Sequence, residues 1–174
     1  MNKKAISKTL IILIVVIAFI IGITLSYFIF YSKNTTPTED SIPKSINDCN
    51  KINQQTERDI CYKDVAIYQK DFSICDMMTQ AALLYSGVGT NCYRGVAKER
   101  KNINECSDIS NQNLKEYCYF GVAEGKSDYT ICDNIDYSIN KQNCYMVIAV
   151  NLKDRTICDR IEHDSIKQQC YMNL

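Results

Sequence analysis

The sequence predicts an all-α protein: an N-terminal transmembrane helix, a linker, then a short α-solenoid of five disulfide-stapled helical hairpins. Three observations carry that expectation. Thr9 to Tyr31 is an apolar run without a charged residue. Ten cysteines follow at alternating gaps of 12 and 14, a period of 26 residues, with other residues locked to the same phase. A fixed period in this range is the signature of a stacked repeat. No strand signal competes, because period-two alternation never persists and hairpin dipeptides are absent.

The N-terminal run is long enough to cross a membrane, since roughly 20 helical residues span the hydrocarbon core. Its end, Tyr27-Phe28-Ile29-Phe30-Tyr31, suits an interfacial aromatic belt. Lys3, Lys4 and Lys8 precede it, whereas Lys33 is followed by Glu39 and Asp40. The charge bias therefore places residues 1–8 in the cytoplasm, a single-pass anchor at 9–32 and the remainder outside the cell. A cleavable signal peptide would have a shorter apolar core and a small-x-small cleavage site. Residues 33–44, with Pro37 and Pro43, read as a flexible tether, and Asn34-Thr35-Thr36 fits an N-glycosylation acceptor.

The repeat domain is expected over 45–174, in units 45–70, 71–101, 102–127, 128–153 and 154–174. Three residues after the first Cys of each unit come Ile52, Met78, Ile109, Ile135 and Ile161. After the second Cys comes tyrosine each time: Tyr62, Tyr93, Tyr119, Tyr145 and Tyr171. Then follow Val65, Val96, Val122, Ile148 and Leu174, and after the first four of these Ala66, Ala97, Ala123 and Ala149. Four residues before each first Cys stand Ser45, Asp71, Asn102, Asp128 and Asp154, all able to cap a helix N-terminus. Asp48 and Glu105 add the acidic residue of a capping box. A first helix of about two turns should start at each cap and place Cys and the apolar residue at i and i+3. After a polar turn, a second helix should carry Cys and Val/Ile at i and i+4, with Ser138 and Asp164 as its caps in the last two units. Lys70, Lys101 and Lys153 fall where a cation suits a helix C-terminus.

Helices this short are marginal alone, so each hairpin needs a staple. Pairing cysteines within a unit uses all ten: Cys49–Cys61, Cys75–Cys92, Cys106–Cys118, Cys132–Cys144 and Cys158–Cys170. The alternative, pairing across the 14-residue gaps, leaves Cys49 and Cys170 without partners. The within-unit pairing is the expectation, each bridge contributing about 3 kcal/mol. Close Cys pairs of the C-x2-C kind are absent, and His163 stands alone as a turn residue. Neither a metal or other cofactor nor cysteine catalysis is therefore expected.

Charge excludes another class. Beyond residue 32 the chain holds 17 basic and 20 acidic residues, a net of −3. No basic stripe is available for nucleic acid. The expected partners are the membrane, through the N-terminal helix, and another protein.

The second unit departs from the pattern by five inserted residues between Cys75 and Cys92. The bland reading is a longer first helix packed on its neighbour, with Gly87 and Gly89 as a pliable exit. The sharper readings are a partner-binding knob presenting Ala81, Leu83, Leu84 and Tyr85, or a membrane contact.

The Cys-x11-Cys-Tyr-x-x-Val-Ala unit resembles Cys-rich short helical-hairpin repeat proteins of microbial, archaeal-type cell surfaces, over residues 45–174. That resemblance implies the repeat fold and an extracytoplasmic placement, and it carries over no catalytic residue. Lys3-Lys4-Ala5-Ile6-Ser7 ahead of a hydrophobic helix resembles the processing region of archaeal type IV pilin-like proteins. The functional expectation is thus a protein-interaction or envelope-structural module, not an enzyme. A pilin-like surface subunit is the alternative, and a hydrolytic enzyme with an unrecognised site stands below both.

Overall fold

The computed structural model describes Ile17, Phe19 and residues 45–174. The chain divides into Met1–Ser41 and Ile42–Leu174. Among the described residues no helix is long and apolar enough to cross a membrane. The expected anchor, apart from Ile17 and Phe19, lies outside them, as do the cytoplasmic tail, the tether, the Asn34 acceptor and the pilin-like motif.

Residues 45–174 are helical, with no strand among the described residues. Each unit is a short helix followed by one longer helix, with an extra short helix between them in the second unit. The first unit holds α1 (Ile46–Asn50) and α2 (Gln55–Gln69). The second holds α3 (Phe72–Cys75), α4 (Gln80–Leu84) and α5 (Gly87–Arg100). The third has α6 (Asn104–Ser107) and α7 (Gln112–Lys126). The fourth has the 3-10 helix η1 (Tyr129–Asn134) and α8 (Ser138–Leu152). The fifth has α9 (Arg155–Cys158) and α10 (Asp164–Met172). Each long helix packs on the next in chain order.

The first helices are about one turn long, not two, except η1, whose six residues make two 3-10 turns, and the first Cys lies at or near their ends. The spacing is still obeyed. The N–H groups of Ile52, Met78, Ile109, Ile135 and Ile161 donate to the carbonyls of Cys49, Cys75, Cys106, Cys132 and Cys158 at 3.0–3.3 Å. These i→i+3 bonds make a 3-10-type turn, in which residues three apart eclipse and share one face. Ile135 and Ile161 are accordingly sealed in the core.

Caps follow the expected chemistry in four units. The Asp71, Asp128 and Asp154 carboxylates accept from the N–H groups of Ser73, Thr130 and Thr156 at 2.9–3.0 Å. Asn102 accepts from Asn104 N–H at 3.2 Å. Ser45 differs: its hydroxyl donates to Asp48 instead, at 2.7 Å. The carboxyl of Asp48 is held below its usual range by that hydroxyl and by Lys51. Glu105 likewise takes Arg100 and the Asn102 side-chain amide, and the guanidinium lowers its carboxyl's pKa. Ser138 and Asp164 are the first residues of α8 and α10, and Tyr137 and His163 occupy the cap positions. His163 does sit in the turn.

The lysines before the next unit have a backbone role. Lys70, Lys101, Ser127 and Lys153 lie in the left-handed region, with φ of 54–57°. This residue ends the long helix and lets the following N–H turn back onto the repeated alanine. Asp71, Asp128 and Asp154 donate to Ala66, Ala123 and Ala149 carbonyls at 2.9–3.0 Å, while Lys101 itself donates to Ala97. These are the bonds of left-handed helix ends, where glycine is the usual occupant.

All five disulfides join cysteines within one unit: Cys49–Cys61, Cys75–Cys92, Cys106–Cys118, Cys132–Cys144 and Cys158–Cys170. Their Cα separations are 5.4–5.9 Å. Around them Val65, Val96, Val122, Ile148 and the four repeated alanines are buried. Each such valine or isoleucine contributes roughly 1.5–3 kcal/mol through burial.

The core divides into two clusters, one mainly of the first two units and one mainly of the last three, with Leu114 joining the former and Ala97 the latter. The division falls where α5 meets α7. A Cβ on Gly121 would stand 2.1 Å from the Arg94 carbonyl oxygen, and one on Gly125 would stand 2.2 Å from that of Lys98. The two backbones touch, which leaves no room for a layer of side chains. Beside this contact Glu124 takes Arg94 at 2.5 Å, and the Arg94 guanidinium lies 3.8 Å from the Phe120 ring centre.

Candidate functional site

The second unit concentrates the departures from the repeat, and its insertion is built from capping chemistry. Thr79 caps α4 by accepting from Ala82 N–H at 3.2 Å. Ser86 caps α5 by accepting from Val88 N–H at 3.3 Å and donates to the Ala82 carbonyl at 2.8 Å. The inserted residues therefore fold as a separate short helix, because Thr79 restarts the chain instead of letting α3 run on. Gly87 and Gly89 belong to the first turn of α5. Gly89 is a packing residue and no pliable exit: its Cβ position lies 2.1 Å from the Leu83 carbonyl oxygen, so α4 rests directly on it.

Of the four expected contact residues, Ala81 and Tyr85 face outward, Tyr85 with 85% of its surface exposed. Leu83 and Leu84 are half-buried and pack against the core of the first two units. The structure thus splits the group: two residues anchor the insertion and two are presented.

A polar position missing from the sequence reading ties the insertion to the first unit. Two residues before each second Cys stand Asp59, Thr90, Glu116, Gln142 and Gln168. The first four are buried. Asp59 of α2 accepts from the Thr79 N–H at 3.0 Å and from its hydroxyl at 2.8 Å. Glu116 of α7 accepts from Tyr137 N–H at 3.1 Å and from the Asn140 amide at 3.0 Å. Gln142 of α8 accepts from Glu162 N–H at 2.8 Å. Each latches its unit to the turn of the next one. Thr90 instead bonds within its own helix, at 3.2 Å from the Gly87 carbonyl. That is the junction where backbone contact between α5 and α7 replaces the latch. A recurring polar residue at fixed phase was visible, but its chemistry changes from copy to copy.

A second cross-link within the hairpins also went unread. The residue after the first Cys accepts from the tyrosine after the second. Tyr62 donates to Asn50 and Tyr93 to Asp76, both at 2.6 Å. Tyr145 donates to Asp133 and Tyr171 to Asp159. In the third unit Ser107 holds that place, and its hydroxyl turns to the Asn104 carbonyl at 2.6 Å. Burial and then the Asp133 carboxylate push the Tyr145 phenol up to about 12. Burial and Asp76 raise Tyr93, and the Asp159 bond raises Tyr171.

Beside the insertion a groove of about 290 Å³ opens between α2 and α4, lined by Gln55, Thr56, Asp59, Thr79, Ala81 and Ser86 among others. A shallower one of about 250 Å³ lies along Asn91, Arg94, Lys98 and Glu124, whose charges already satisfy one another. With no free thiol in the chain, the cysteines offer neither a nucleophile nor a thiolate ligand.

These features define a disulfide-stapled helical-repeat domain with one irregular unit. No family model matches the chain, and neither a curated protein nor a solved structure is significantly similar to it.

Proposed function

We propose that the chain is a membrane-tethered, extracytoplasmic α-solenoid that acts as a protein-interaction or envelope-structural module. On this reading residues 1–8 stay in the cytoplasm, 9–32 cross the membrane, 33–44 form the tether and 45–174 project outside. The observation that carries it is that ten cysteines close five bridges with none left over. Such bridges persist in oxidising compartments and are rare where thiols are kept reduced. The uncharged run after three lysines supplies the tether's origin. The insertion of the second unit, with Ala81 and Tyr85 outermost and Leu83 and Leu84 beneath, is the contact surface for a partner protein.

The test expresses the full chain in cells with a C-terminal tag. Expected are recovery in the membrane fraction, loss of the tag to protease added outside, and labelling of ten thiols only after reduction. Ten reactive thiols before reduction, or a tag protected in intact cells, overturns the reading. Cross-linking from a photoreactive residue at Tyr85 should then capture a partner that the same probe at an exposed site on α10 does not. Sequencing the mature N-terminus addresses the pilin-like alternative, which requires cleavage near Lys4-Ala5.

A further inference from the structure

Asp59 lines the groove between α2 and α4. It is 3% exposed and receives three donors: the Gln55 amide at 3.1 Å, and the N–H and hydroxyl of Thr79. All three are neutral. Among the described residues no cation pairs with this carboxylate within 4.0 Å. Its neighbour Arg58 is turned onto the Ile52 carbonyl and the Gln55 side-chain oxygen. A buried carboxylate without a cation is costly to keep. Its two oxygens offer about four acceptor sites, so three donors leave capacity for one more.

We propose that this groove receives a primary ammonium group, as carried by a lysine side chain on the partner protein; the partner rests on the interaction-module reading above. Volume supports one side chain: about 290 Å³ lies at the lower edge of the roughly 300–1,000 Å³ of small-molecule sites. Chemistry supports the ammonium. It carries three donors and no acceptor, and the groove offers the Asp59 carboxylate with the hydroxyls of Thr56, Thr79 and Ser86. Ala81, Ala82 and Val88 supply apolar wall for the methylene stem. A guanidinium needs a free two-oxygen edge for its planar fork, and Thr79 already engages both oxygens of Asp59.

The test titrates the full chain in detergent micelles with N-acetyl-lysine methylamide and, separately, with N-acetyl-norleucine methylamide, which lacks the ammonium. The readout is the NMR shift of the Ala81 and Ala82 methyl groups. Expected is saturable binding of the lysine probe only, weakened roughly tenfold or more in Asp59→Asn. Glu116→Gln, at the equivalent buried position, should leave it unchanged. If Asp59→Asn fails to form its native bridges, Ala81→Phe provides the second variant, filling the groove and abolishing the shift of the remaining Ala82 methyl. Equal binding of both probes, no binding of lysine, or full binding by Asp59→Asn or Ala81→Phe overturns the assignment. A captured partner that binds independently of Asp59 sinks the ammonium site and leaves the module reading intact. Lysine-probe binding with no partner captured at Tyr85 does the reverse.

Discussion

At the scale of single residues, the four left-handed helix ends hold the most accessible stability. A non-glycine residue in this conformation carries a penalty of about 1 kcal/mol or more that glycine avoids. Lys70 also pairs with Glu99 at 3.6 Å, so removing it would mix two effects. Ser127 and Lys153 give the cleaner comparison. Ser127→Gly and Lys153→Gly should each stabilise the protein by about 0.5–1 kcal/mol, read as a higher urea midpoint at unchanged slope. The tyrosine cross-links give the opposite sign. Tyr145→Phe removes a bond to a carboxylate and should cost about 1–2 kcal/mol, whereas Tyr119→Phe, in the unit where Ser107 replaces the acceptor, should cost little. The pH dependence follows from the raised Tyr145 value. Its protonated form is favoured in the fold, so the contribution is whole below the ordinary tyrosine value of 10 and is lost as pH rises toward about 12. Wild type should therefore lose more stability between about pH 9 and about pH 11 than Tyr145→Phe does. Equal losses would mean that the bond to Asp133 does not hold the proton.

At the scale of elements, the contact between α5 and α7 is the decisive one, because glycine permits it. Gly121→Ala gains helix propensity yet drives a methyl into the Arg94 carbonyl. Overpacking of about 1–3 kcal/mol should outweigh a propensity gain of at most about 1. Gly87→Ala is the control: its Cβ would meet only Asn91, at 3.7 Å, so thermal unfolding should show no loss. A Gly121→Ala protein as stable as wild type would show that the helices can slide apart freely. Elements were also where sequence reasoning met its limit. Cysteine spacing and the Tyr-x-x-Val-Ala phase located every long helix, because burial forces periodicity on the residues that pack. The one-turn helices were overestimated, since a 3-10 turn and an α-helix both put residues three apart on one face. Lys70, Lys101 and Lys153 do end long helices, as the preference for a cation there suggested, but their left-handed backbone stayed hidden because such an end usually announces itself with glycine, and here none is present. The latches stayed hidden because Asp, Glu and Gln do the same work with different side chains. In the insertion, Thr79 resembled any other polar residue until Asp59, 20 residues earlier, was seen to hold it.

At the scale of the molecule, every bridge lies within a unit, so neighbouring units are joined by the backbone, packed helices, latches and side-chain pairs such as Arg94–Glu124, and by no disulfide. Two accounts of stability then differ in a measurable way. If a bridge acts only by constraining the unfolded chain, Cys132–Cys144 and Cys158–Cys170 should be worth the same, because both span 12 residues. Each would contribute about 3 kcal/mol. If instead units stabilise one another as nearest neighbours, position in the array matters. Among the described residues the fourth unit packs on both α7 and α10, whereas the fifth packs on the fourth. Loosening the fourth unit exposes the Glu116 latch to Tyr137 and the Gln142 latch to Glu162; loosening the fifth exposes only the latter. Replacing Cys132 and Cys144 together by alanine should therefore destabilise the protein more than replacing Cys158 and Cys170, although all four sulfurs are equally buried. Hydrogen exchange should show the difference locally. The Cys132/Cys144 variant should lose amide protection in α7 and α10 as well as α8, and the Cys158/Cys170 variant in α10 and α8 alone. Helix α2, beyond the glycine contact that divides the core, should keep its protection in both. Equal destabilisation with protection lost only inside the altered unit would return the bridges to a purely local role and leave the latches without energetic consequence.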